Sequence, residues 1–251
     1  MGVASVDRAW RGQADLVTRR PDEGFRTSLS RRSLLSVAVG GAVFVYGLRS
    51  SRAETPLSPP ATPTKLGFRI VRQKSPVGYH RIAIAPNGDS FVVTTSIRIA
   101  VKVAFVTAFK FEHDCSEVWT SGRLQSLDAS TNNDGDKLRV SGKATSNGVE
   151  MKGPSGPFTA PGDALTTSCL WSPALLAQSQ IIDTQNGGMI GLVAKGLGAD
   201  KVKISNATLT AERYDLITPY LNGNLWYDSN NRWVKSAFEW QGEQIDYDLE
   251  A

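Results

Sequence analysis

Between Phe91 and Trp119 the chain alternates with a period of two. The odd positions Phe91, Val93, Ile97, Ile99, Val101, Val103, Phe105, Phe109 and Phe111 are large and apolar, and the even positions carry Thr94, Ser96, Arg98, Lys102, Lys110, Glu112 and Asp114. Neither Gly nor Pro interrupts the run. A helix would group its apolar residues three and four apart, so this stretch reads as extended strand with one buried face. At ~3.3 Å per residue it would reach about 95 Å, too long for one domain. A bend or bulge is therefore expected between Ala100 and Thr107, where the even positions become small or apolar.

The same alternation continues on both sides. Short strands are predicted at Phe68–Arg72 and Tyr79–Ile84, separated by Ser75-Pro76-Val77-Gly78, with a tight turn at Pro86-Asn87-Gly88-Asp89. Further strands follow at Arg123–Asp128, Lys137–Lys143 and Val149–Lys152, spaced by turn residues every eight to twelve positions as in an antiparallel meander. Gly153 to Thr167 is rich in Pro and Gly and breaks the pattern. Ser172 followed by Pro173 has the chemistry of a helix start, predicting one short helix near 173–178. Strands are expected again at Gln180–Thr184, Met189–Lys195, Lys201–Tyr214, Asn224–Asp228, Trp233–Trp240 and Gln244–Leu249. The fold class is all-β: a strongly twisted antiparallel meander forming a half-barrel or barrel, in a single domain over residues 66–251. An integral outer-membrane barrel would need lipid-facing alternation in many strands of about ten residues, which this chain does not offer.

Charge changes the picture only at the front. The chain of 251 residues carries a formal +4, but residues 1–53 hold nine of the 28 basic residues and only four of the 24 acidic ones. The remainder, 19 bases against 20 acids, asks for no nucleic acid and no anionic surface. In the leader, Ser30-Arg31-Arg32-Ser33 precedes an apolar run from Leu34 to Leu48 and then Ser51-Arg52-Ala53, a small-x-Ala cleavage pattern. This resembles a twin-arginine export signal, with Arg31 and Arg32 as the paired motif and cleavage after Ala53. The apolar run is shorter than the ~20 residues of a spanning helix, so no stable transmembrane segment is expected after cleavage. The twin-arginine translocase is then the partner in export, and the mature protein is expected in the periplasm, soluble or peripherally associated with the envelope. Residues 54–65 are Pro-rich and read as a disordered or polyproline-like linker.

Five motifs taken together carry a resemblance: Gly78-Tyr79-His80-Arg81, Glu117-x-Trp119-x-x-Gly122-Arg123-Leu124, Thr131-x-x-Asp134-Gly135, Asp183-Thr184-Gln185-x-Gly187 and Leu225-Trp226-Tyr227-Asp228. Over about residues 66–251 the chain resembles an uncharacterised family of bacterial exported proteins, a domain of unknown function. The resemblance implies the β fold and the export route and brings no catalytic residues with it. Cys169-Leu170-Trp171 stands where that family has an aromatic pair.

Candidate chemistry is sparse. Cys115 and Cys169 are the two cysteines; outside the cytoplasm an even count favours a disulfide, worth on the order of 4 kcal/mol for a loop of this length in the chain-entropy model. His113-x-Cys115-x-Glu117 offers metal-ligand types, but same-face neighbours lie ~7 Å apart along a strand, so no metal site is assigned. No nucleophile elbow, P-loop or dinucleotide fingerprint occurs, and no cofactor is implied. His80 and His113 are the bases available to an envelope hydrolase, an alternative reading; a structural or protein-interaction module is a third. The leading expectation is a carrier for an apolar or amphipathic ligand, such as an envelope lipid. Its candidate ligand residues are His80, Arg81, His113, Glu117, Trp119, Arg123, Asp183, Gln185, Trp226, Tyr227 and Asp228, polar groups set among aromatics.

Overall fold

The computed structural model describes residues 57–250 other than 59, 61, 104, 105 and 241. The expected export signal, with Arg31, Arg32 and the expected cleavage point at Ala53, lies outside the described residues. Eight strands come first: β1 (Thr64–Arg72), β2 (Ser75–Asn87), β3 (Ser90–Val103), β4 (Val106–Thr120), β5 (Arg123–Asn133), β6 (Asp136–Thr145), β7 (Gly148–Lys152) and β8 (Phe158–Ala160). A connecting segment then carries two 3-10 turns, Cys169–Trp171 and Pro173–Ala177, and the small hairpin of β9 (Gln180–Ile182) and β10 (Met189–Gly191). A second meander of β11 (Val193–Ile204), β12 (Ala207–Ile217), β13 (Asn222–Asp228), β14 (Trp233–Trp240) and β15 (Glu243–Leu249) completes the domain.

The two meanders are one antiparallel sheet of 13 strands, because the last strand β15 pairs with the first, β1. The order β11-β12-β13-β14-β15-β1-β2-β3-β4-β5-β6-β7-β8 leaves β8 and β11 as edges, so the sheet is a half-barrel. The edges are blunted differently. β8 is three residues long, and β11 carries Lys195, Lys201 and Lys203 and a register shift between Gly196 and Gly198, devices that discourage edge pairing.

The segment between the edges does not run outside the sheet. Leu165, Cys169, Leu175, Ile181 and Ile182 are all buried in one cluster with Phe68, Trp119, Leu124, Met151, Leu225 and Trp233 from the strands. The concave side is thus plugged by residues of the connection. At ~25 cal/mol per Å² of apolar area, each such fully buried side chain contributes about 2 kcal/mol, which is what holds this strand-poor segment in place.

Several expectations are corrected by this topology. Phe91–Trp119 is not one bending strand but a hairpin: Ser90 pairs with Thr120 and Val103 with Val106, so the chain reverses between these two valines, inside the 100–107 stretch. Likewise Lys201–Tyr214 is a hairpin, turning at Ser205-Asn206, where Ser205 has φ 51°. The turn between β1 and β2 is Gln73-Lys74, both at positive φ, and Pro76 and Gly78 lie within β2. The short helix is a 3-10 turn, begun as expected by Ser172, whose hydroxyl accepts from the Ala174 amide at 3.3 Å; the turn at Cys169–Trp171 precedes it. The linker is not wholly a spacer, since Leu57 is buried in the main core and Thr64 already belongs to β1.

Candidate functional site

Strand alternation brings the odd residues of β3 and β4 to the concave face, and register aligns them with their neighbours. One row across the sheet reads Phe68, His80, Ile97, His113, Thr131. The next reads Leu66, Ile82, Thr95, Cys115, Ala129, and the one beyond it Ile84, Val93, Glu117, Leu127. Polar side chains therefore form a patch on the inner wall of β2 to β5, in contact with the plug.

Glu117 is the centre of that contact. It is fully buried and makes no ion pair among the described residues; its Oε2 accepts from Trp119 Nε1 at 3.0 Å and its Oε1 from the Thr166 hydroxyl at 2.6 Å and the Cys115 thiol at 3.8 Å. Burial pushes the carboxyl above its ordinary range, and the bonds from Thr166, Trp119 and Cys115 offset this only in part. Thr166 also lies 3.4 Å from Cys169 Sγ and accepts the Ser168 amide at 3.1 Å. The expected Cys115–Cys169 bridge is not formed: both are free, buried thiols on either side of the Glu117–Thr166 bond. Burial, then the Glu117 charge, raises both thiols, so they stand protonated in this setting.

His113 is held at both ring nitrogens, by Thr131 Oγ1 at 2.9 Å and by Thr184 Oγ1 at 3.3 Å, and Thr184 is bonded in turn to Thr167 at 2.8 Å. Burial lowers its pKa to about 4 despite the charges of Asp183 and Asp114. A neutral imidazole between two threonine hydroxyls ties plug to wall. A hydrolase needs a base oriented by an acid, and here the partner on each side is a hydroxyl.

His80 is different. It is 2% exposed, and neither ring nitrogen has a hydrogen-bond partner among the described residues. Its surroundings are aromatic: Trp233 at 5.4 Å and Tyr247 at 5.9 Å, both edge-on, and Phe68 at 6.4 Å. Burial, then the charge of His113, lowers its pKa to about 3. A neutral imidazole has one N–H donor and one acceptor nitrogen, and leaving both unmet in the interior costs on the order of 1–3 kcal/mol each. The hydroxyl of Thr95, diagonal to His80 on the next strand, is buried and unpartnered as well. Gly78 helps set this geometry, since the backbone of Arg98 and Ile99 lies where a Cβ would stand.

Next to His80 the inner wall is open. Ile97, Ile99 and Phe111 face the concave side yet are only half-buried, unlike the residues packed against the plug. Along β4 this ledge lies between His113, which meets the plug, and Phe109, whose ring contacts Trp240 of β14 at 5.7 Å. β4 and β14 are five places apart in the sheet order, so the two limbs of the half-barrel meet there, beyond the ledge.

Of the candidate residues, the structure brings His80, His113, Glu117, Trp119 and Tyr227 to the concave side, with Asp183 and Gln185 in the plug. Tyr227 donates to the Leu170 carbonyl at 2.7 Å, and burial raises its hydroxyl. Asp183 accepts from the Gln185 amide, Asn186 Nδ2 and the Tyr220 hydroxyl, shaping the turn before β10. The others do not join them. Arg81 is exposed on the convex face over the Tyr79 ring at 4.2 Å, and Arg123 is exposed beside Gly162. Trp226 lies in a separate cluster with Val202, Ala211 and Val234, and Asp228 pairs with Arg232 in a turn. Unpredicted members are Thr95, Thr131, Thr166, Thr184 and the Ile97–Ile99–Phe111 ledge; isolated threonines carry no pattern of their own. The convex face of β1 to β5 holds a separate open groove of about 690 Å³, across the sheet from His80.

A profile of the DUF6134 family, a domain of unknown function, matches residues 68–250. No curated protein matches the chain. Among solved structures, the chain is similar to a β-barrel-like protein of the domain of unknown function DUF1849 from Brucella abortus, with 8% identity and a TM-score of 0.53 over 77% of this chain and 98% of that one. That likeness is one of fold.

Proposed function

The chain belongs to the DUF6134 family, whose function is unknown, and we propose that it is an exported binding protein that holds an amphipathic molecule of the cell envelope at the open end of its concave face. The observation that carries this reading is His80, fully buried with both nitrogens unmet beside the unmet hydroxyl of Thr95. A ligand head with a hydroxyl, amide or protonated carboxyl both donates and accepts, and so satisfies a neutral imidazole without a charged partner. Its apolar part would lie along Ile97, Ile99 and Phe111. The plug confines such a ligand to the open end, because it occupies the wall around Trp119 and Leu124.

Export rests on the leader: Arg31 and Arg32 would engage the twin-arginine translocase, cleavage after Ala53 would release the domain into the periplasm, and Leu57 would stay with the core. The test is a titration of the exported protein with decanol, read by the fluorescence of Trp233, whose ring lies 5.4 Å from His80. A saturable change is expected, weakened at least about tenfold, the equivalent of 1.4 kcal/mol, in His80→Phe. A non-saturating response, or an equal one in the variant, would count against the reading.

A further inference from the structure

The convex groove has a charge layout that the concave site does not explain. One row crosses five strands in register: Lys65 of β1, Ala83 of β2, Thr94 of β3, Ser116 of β4 and Asp128 of β5. All five line the groove, and the three in the middle are small, so its floor is low between a cation and an anion. We propose that this groove binds a short peptide with free termini, three or four residues long and laid across the strands, its ammonium at Asp128 and its carboxylate at Lys65.

Length follows from geometry. Four strand spacings of ~4.8 Å place the two ends about 19 Å apart at Cα, and the lysine and aspartate side chains leaning over the row leave roughly 10–13 Å, which three or four extended residues span at ~3.3 Å each. The terminal charges of the groove are available. Outside the backbone ladder, the side chains of Asp128 and Ser116 make no hydrogen bond or ion pair among the described residues, and Lys65 makes no ion pair there. The other charged lining groups are engaged or to one side: Asp114 is held by Arg98 at 2.6 Å, Arg81 lies over Tyr79, and Glu250 stands beside Gly67. The Thr94 hydroxyl, which donates to the Ala83 carbonyl at 3.5 Å, offers the peptide backbone an acceptor, and the Ser116 hydroxyl can donate or accept. No aromatic ring lines the groove, so it lacks the stacking plane on which a sugar ring would sit.

Calorimetric titration with tetraalanine tests this, using the full exported protein, its Asp128→Asn and Lys65→Gln variants, and tetraalanine blocked at either end. Both substituted residues are exposed, and an unchanged thermal midpoint establishes that each variant is folded. One-to-one binding of tetraalanine is expected, weakened about tenfold, or 1.4 kcal/mol, by N-acetylation or by Asp128→Asn, and likewise by C-amidation or by Lys65→Gln. The acetylated peptide should lose nothing further in Asp128→Asn, nor the amidated one in Lys65→Gln. Absence of saturable binding, equal binding of the doubly blocked peptide, or preferential binding of a neutral tetrasaccharide would overturn the proposal.

Discussion

Replacing His80 by Phe should stabilise the fold and remove one of the two histidine contributions to its acid sensitivity. The imidazole titrates at an ordinary 6.5 when unfolded and at about 3 in the folded protein, lowered by burial and then by His113. Between those values the unfolded chain binds more protons, so stability rises with pH there. The contribution is complete above the unfolded value and is lost as pH falls through the folded one. At 1.36 kcal/mol per pH unit, the loss from His80 between about pH 8 and about pH 5 is roughly 2 kcal/mol. His113, lowered to about 4, adds a similar loss of the same sign. A phenyl ring in the nest of Phe68, Trp233 and Tyr247 removes the first loss and two unmet polar atoms, worth on the order of 1–3 kcal/mol each at neutral pH. Urea unfolding followed by tryptophan fluorescence across this pH range reads both. If the variant keeps the wild-type acid slope, or is less stable at neutral pH, His80 is not the unpartnered neutral imidazole described here.

Glu117→Gln should work in the opposite pH direction. Its folded carboxyl is raised, chiefly by burial, so its contribution is present below the ordinary carboxyl range and lost as pH rises through the folded value; thermal midpoints of the variant should decline less toward alkaline pH than those of the wild type. Thr166→Val leaves the Glu117 oxygen and the Ser168 amide without their partner, and should cost about 1–3 kcal/mol in urea unfolding; no loss would mean that plug and wall are not joined there. Leu57→Ala should cost about 2–4 kcal/mol by the same assay, since the side chain is 5% exposed in the main core, whereas a free linker would make it neutral.

The fold was legible wherever alternation and turn chemistry agreed. Asp134-Gly135, both at positive φ, makes a tight hairpin turn of the kind its sequence promises. Gln73-Lys74 adopts a left-handed turn with no Gly, Asn or Asp, so no local signal marks it. The two reversals inside apolar alternation, between Val103 and Val106 and at Ser205-Asn206, carry no signal for a related reason: alternation records which face is buried but not whether the chain has turned back. His113, Cys115, Glu117 and Trp119 could be placed on one face from period alone. Their partners could not, because Thr166 and Thr184 come from a plug some fifty to seventy residues away, and only the packing of Leu165, Leu175 and Ile182 brings it inside. Arg81 and Trp226 were grouped with the site by residue type, yet strand parity sends both to the convex face.

The central claim is that His80 marks a ligand site. Native mass spectrometry of the protein purified from the periplasmic fraction, where the proposed export would deliver it, with organic extraction of the same sample, is the test. A one-to-one adduct is expected, whose extracted species is an amphipath with a hydrogen-bonding head, present in the wild type and absent from His80→Phe. A bare chain mass in the wild type, or an adduct retained at full occupancy by the variant, would contradict it.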